Sequence, residues 1–234
     1  MKASLATLII CLVTGFAAHG EEPAEGKQPP GFRTLGLGYS SGDLFYSHAN
    51  QDVPLPVTED SRSPFLPRPA GSSLAFYRME KLPDGTSKRV PAGTAEISSG
   101  GRLPLLIFSP SGKVEVLDDS LEVFPGGSYR VLNRLGEDLG ALLGTSPTRV
   151  PAYSGKVIDG TGQKKGNTLF VQMYLLARSP QTLVFSNNWA FSPLLRTMVI
   201  VVPPVPPSEL PTVRRIVESI ELPNLPASAN PKTP

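Results

Sequence analysis

The chain has one cysteine, Cys11, and two histidines, His19 and His48. Each scarcity removes a class of chemistry. A lone cysteine forms no intrachain disulfide, and Cys11 lies within the apolar stretch Leu5–Val13, near the N-terminus. Zinc needs three or four Cys, His or carboxylate ligands, and His48 has no second His or Cys after the first twenty residues to join it. Charge is also sparse and balanced, with 22 basic against 20 acidic residues. Such a surface has no net field to draw it to nucleic acid or anionic lipid. Long hydrophobic runs are missing too. A membrane helix needs about twenty apolar residues, and the best internal run, Met198 to Val205, is broken by Pro203 and Pro204.

Residues 1–20 read as a signal peptide. Lys2 supplies a basic start, Leu5 to Val13 an apolar centre, and Gly15-Phe-Ala17 and Ala18-His-Gly20 two small-x-small cleavage patterns. Cleavage after Ala17 or Gly20 would send the chain to the periplasm or the medium. Ile10 before Cys11 is not the small residue that a lipoprotein signal requires. Removing the one basic residue of this segment, Lys2, leaves 21 basic and 20 acidic residues, a net charge of +1.

Proline and glycine are abundant, at 26 and 22 residues. They partition the rest. Residues 21–72 read as a disordered leader and a Pro-rich extended arm, since proline donates no amide to a sheet ladder. Residues 73–222 read as one all-β domain, an antiparallel β-sandwich of Ig-like or similar type. Residues 223–234 read as a disordered tail. Within 73–222, short apolar runs alternate with turn signals. Strands are expected at Ser73–Met79, Leu103–Phe108, Lys113–Leu117, Ser128–Asn133, Leu139–Leu143, Thr148–Val150, Thr168–Ala177, Gln181–Ser186 and Leu195–Val202. Turns are expected at Pro83-Asp-Gly85, Pro110-Ser-Gly112 and Pro125-Gly-Gly127, where proline presets φ and glycine accepts positive φ. Residues 212–222 fit either a helix or a strand, and the absence of other helical patterns favours a strand.

Several motifs invite a functional reading. Gly38-Tyr-Ser40-Ser-Gly42 has the spacing of a nucleophile elbow, but the following Asp43-Leu-Phe-Tyr46 is strand-like and His48 stands too close to complete that hydrolase order. A turn is expected instead. Gly160-Thr-Gly162-Gln-Lys-Lys-Gly166 lacks the Lys-Ser/Thr ending and the following helix of a phosphate loop, and reads as a basic hairpin tip. Glu115, Asp118, Asp119 and Glu122 could bind calcium or work as paired carboxylates in a hydrolase. Their spacing fits a strand end closed by Asx-type turn bonds better. Trp189, beside Asn187 and Asn188, could stack on a sugar while the amides bind its hydroxyls. A tryptophan opening an apolar strand is more commonly a core residue.

The pattern Val116-Leu-Asp-Asp-Ser120, Phe124-Pro-Gly-Gly-Ser-Tyr-Arg130, Asn133, Trp189-Ala-Phe191 and Arg196-Thr-Met-Val-Ile200 resembles a group of small exported bacterial β-sandwich proteins of unknown function. The resemblance covers the central and C-terminal half. It implies a sandwich in the cell envelope or outside the cell and assigns no catalytic residue. Together these observations set the expectation of an exported, non-enzymatic structural or protein-binding module without cofactor or metal. Its partner would be an envelope protein, or a glycan if it is instead a carbohydrate-binding module using Trp189, Asn187 and Asn188. A carboxylate-based hydrolase is the remaining alternative.

Overall fold

Strands apolar on both faces need a core on each side, and four strands among the described residues have one. In β1 (Gly31–Gly36), Phe32 faces one core and Leu35 another. In β7 (Pro104–Phe108), Leu106 and Phe108 share the core of Phe32, whereas Leu105 and Ile107 share that of Leu35. In β9 (Ser128–Asn133), Tyr129 and Val131 point away from Leu132. In β15 (Leu195–Val202), Val199 and Val201 point away from Met198 and Ile200. These strands belong to two middle sheets of a four-layered stack with three cores. The computed structural model describes residues 31–69, 71–97, 103–177 and 180–220, all β apart from a 3-10 turn. The signal-peptide reading of 1–20, the disordered leader to residue 30 and the tail from 223 lie outside the described residues.

The first unit adds β2 (Leu44–His48), β3 (Gln51–Pro54), β4 (Leu66–Pro67), β5 (Ser73–Lys81), β6 (Ser87–Glu96) and β8 (Val114–Asp118). Its sheets have the orders β4-β1-β7-β8 and β3-β2-β5-β6. The second adds β10 (Leu139–Leu143), β11 (Ser146–Val150), β12 (Gly155–Asp159), β13 (Thr168–Leu175), β14 (Thr182–Ala190) and β16 (Thr212–Ser219). Its orders are β12-β9-β15-β16 and β11-β10-β13-β14. The second unit thus repeats the first strand for strand. Each has one parallel pair, β1 with β7 and β9 with β15, among antiparallel ones. Each has a bulge in its long hairpin, at Phe76/Tyr77 and at Met173/Tyr174. Leu35 lies opposite Ile107 as Leu132 lies opposite Ile200, and all four meet in the central core. The same face of each unit therefore packs on its counterpart, as in a two-fold dimer within one chain.

The all-β sandwich architecture accords with the sequence, and β9, β10 and β15 have the expected bounds. Within the ambiguous stretch 212–222, β16 makes Thr212–Ser219 a strand, and residues 221–222 lie outside the described residues. The turns behave as their residues dictate. Gly85, Gly112 and Gly127 have φ of 82°, 76° and 74°, and Asp84 accepts the Thr86 N–H at 2.9 Å.

The domain boundary differs from the expectation. Residues 31–67 are not an extended arm outside the sandwich. They supply β1 to β4, and β1 is an interior strand with β4 on one side and β7 on the other. The prolines sit where they do no harm: Pro54 ends β3 and Pro67 ends β4, an edge strand, while Leu55 and Val57 between them are buried. The single sandwich expected over 73–222 is replaced by two. Gly160 to Gly166 links β12 to β13, strands of different sheets, and so is a crossover rather than a hairpin tip.

Candidate binding cleft

The quasi-two-fold axis runs along the strands, and its two ends differ in chemistry. One end is a buried charge cluster. Arg33 of β1 donates to Glu218 of β16, and Arg130 of β9 donates to Asp119, just past β8, at 3.4 Å. The two contacts are related by the repeat. Glu218 follows Ile216 by two residues as Asp119 follows Leu117, and Leu117 and Ile216 hold the same register on β7 and β15. Arg196 joins both carboxylates, with Nη2 3.1 Å from Asp119 and Nε 2.7 Å from Glu218. Arg62 Nη1 reaches Glu218 at 2.7 Å. The ring of Phe124 carries the guanidinium groups of Arg130, Arg196 and Arg62 at 4.6, 5.2 and 5.6 Å, which offsets part of their burial.

Electrostatics divide the two acids. Burial is the largest influence on Asp119 and holds its carboxyl above the ordinary range against the charges of Arg62, Arg196 and Arg130. Burial also pushes Glu218 up, but the Arg33 hydrogen bond and the charges of Arg62, Arg196 and Arg33 outweigh it, leaving Glu218 below its ordinary value.

The other end of the axis opens as a cleft of about 880 Å³ between the units. Leu37 and Ile107 line it from the first unit, Val202, Pro203, Pro204 and Val205 from the second. Lys113, Glu115, Arg134 and Arg214 supply its charge. Here the repeat is broken. Arg134 follows Leu132 by two residues as Leu37 follows Leu35, so a cation stands opposite a leucine. Arg134 Nη2 lies 2.6 Å from Glu115, while its Nε is buried without a hydrogen-bond partner among the described residues. Arg214 pairs with Glu59.

Two large apolar side chains stand exposed at the cleft: Tyr153 at 71% and Val205 at 66%. Tyr153 has a φ of 52°, a left-handed conformation that costs a bulky residue roughly 1–3 kcal/mol. The Leu135 carbonyl accepts its N–H at 3.2 Å, and the bare Cα of Gly136 leaves room for its hydroxyl end.

The residues singled out from sequence are dispersed. Trp189 is buried, 4% exposed, with Tyr129 stacked on it at 5.8 Å, Phe185 at 5.5 Å and Arg215 over its ring. Asn187 and Asn188 are exposed on the same strand, and the Asn187 side-chain oxygen accepts the Asn188 N–H at 2.7 Å. The tryptophan ring is therefore not presented beside the amides. Asp118 caps the Ser120 N–H at 2.9 Å, the expected Asx turn. Asp119 is enclosed by arginines, Glu115 stands in the cleft and Glu122 is exposed on the turn after Ser120, so the four carboxylates form no single site. Ser40 is exposed on a turn before β2, a strand where the elbow would need a helix. His48 ends β2. Among the described residues, no three His, Cys, Asp or Glu side chains gather as metal ligands, and no helix is long and apolar enough to cross a membrane.

Sequence reading missed the cleft and the cluster. The one legible signal was the echo of Phe32-Arg-Thr-Leu35 in Tyr129-Arg-Val-Leu132, which marks the repeat and places Arg33 and Arg130 in equivalent positions. No protein-family model matches the chain, and no curated protein matches it.

Proposed function

We propose that the chain is exported through its N-terminal signal and acts as a non-enzymatic protein-binding module, with the cleft between its two units as the docking site. The observation that carries this reading is the pairing of an apolar cleft with exposed Tyr153 and Val205 at its rim. Exposed apolar side chains that cluster, and tyrosine above all, mark contact surfaces rather than solvent faces. Strain held in the Tyr153 backbone points the same way, because such conformations concentrate where a side chain must be presented. The buried charge cluster at the opposite end fits a scaffolding role: its carboxylates are saturated by arginines and are poorly placed to exchange protons with a substrate.

A photo-reactive phenylalanine analogue placed at Val205 in the full chain, in the cells that make it, tests the docking site. Irradiation is expected to yield a crosslinked species from position 205. The same analogue at Leu183, exposed on β14 of an outer sheet, is the control. Equal crosslinking from both positions, or none from 205, would overturn the assignment.

A further inference from the structure

We infer that the occupant of the cleft is an extended apolar peptide segment carrying a carboxylate, which pairs with Lys113. This deepens the docking-site reading above and rests on it. Glu115 is engaged by Arg134 and Glu59 by Arg214. Lys113 is exposed and has no ion pair among the described residues, so three cations face two carboxylates and one positive charge is left over. The buried Nε of Arg134 is a second donor without a partner. A neutral or basic segment seated on the apolar wall would take the Lys113 ammonium out of water uncompensated, whereas an acidic one pairs it as it is desolvated. Electrostatic complementarity of this kind selects partners more than it adds affinity.

The dimensions favour a short strand-like segment. A cleft of about 880 Å³ has room for a short extended segment rather than a folded domain. The wall that Leu37, Ile107 and Val202 form would take every second side chain.

Selection of phage-displayed random heptapeptides on the full-length processed protein, with Lys113→Glu and Val205→Asp variants in parallel, tests both levels. Both positions are exposed, so neither change disturbs the core. The wild type is expected to enrich apolar heptapeptides containing Asp or Glu. A synthetic copy of the best one should lose about tenfold in affinity on Lys113→Glu and a similar factor when its acid is changed to the amide. The Lys113→Glu protein should enrich Lys or Arg instead. Peptides that need the cleft, as judged by loss of binding on Val205→Asp, but show no acidic bias would overturn the inference and leave the docking site standing. Enrichment unaffected by Val205→Asp, or no enrichment at all, would overturn the docking-site reading itself.

Discussion

Glu218 is a residue whose environment makes a measurable demand on pH. Burial raises its carboxyl and the arginines lower it, with the arginines winning. A group depressed in the folded state contributes stability that is fully present above its unfolded value, about 4.3, and is lost as the pH falls through its folded value. Asp119, held high, acts in the opposite sense, so the total acid limb is not informative by itself. The difference between wild type and Glu218→Gln isolates the first group. That difference is expected to be largest at neutral pH and to shrink below about pH 4.3, read from urea midpoints across the range. A difference that grows on acidification would contradict the assigned direction. Trp189 makes a second demand at this scale. Its indole is enclosed by Tyr129 and Phe185, so Trp189→Ala is expected to cost about 3–5 kcal/mol in urea unfolding. As the only tryptophan, it should emit at short wavelength in the folded wild type. A near-neutral substitution, or red-shifted emission, would place the ring outside the core.

At the scale of elements, legibility followed the strength of the local pattern. β13 was plain because Leu169, Val171, Met173 and Leu175 alternate without interruption and all are buried. β7 and the Met198–Val202 stretch of β15 were plain for the opposite reason, an unbroken apolar run, and the structure explains it by two cores flanking each strand. β1 was not legible. Its six residues begin and end in glycine and contain Arg33 and Thr34, a composition that describes a loop unless the partners are known. Those partners, β4 and β7, lie far along the chain, so local periodicity holds no trace of them. β6 was hidden by exposure, since most of its residues face solvent around Pro91 and Gly93 at the bulge. The cleft was less legible still. Its lining comes from loops and strand ends of both units, and only the packing of the repeat brings Leu37, Lys113, Arg134 and Val205 together.

The whole molecule is held as two copies of one unit, and the question at this scale is what fixes one copy on the other. The central core of Leu35, Leu105, Ile107, Leu132, Met198, Ile200 and Ile216 supplies burial, but aliphatic contacts are non-directional and tolerate sliding. The reciprocal pairs Arg33 to Glu218 and Arg130 to Asp119 do not: each crosses between units, and each is in place only when the register along the strands is right. Buried ion networks of this kind add less net stability than their geometry suggests, yet removing one partner strands the others at a cost of about 3–5 kcal/mol. Asp119→Ala would leave Arg130 without a carboxylate and crowd Arg62 and Arg196 onto Glu218, which Arg33 already holds. If the cluster locks the units, the wild type should melt in one calorimetric transition, and Asp119→Ala should lower the melting temperature and split the trace, because each unit keeps its own core while the face between them loses its register. A wild type that already melts in two steps would show that the central core and the cluster are too weak to couple the units. A variant that melts in one step at an unchanged temperature would show that the aliphatic face alone sets the arrangement and that the arginines are tolerated rather than required.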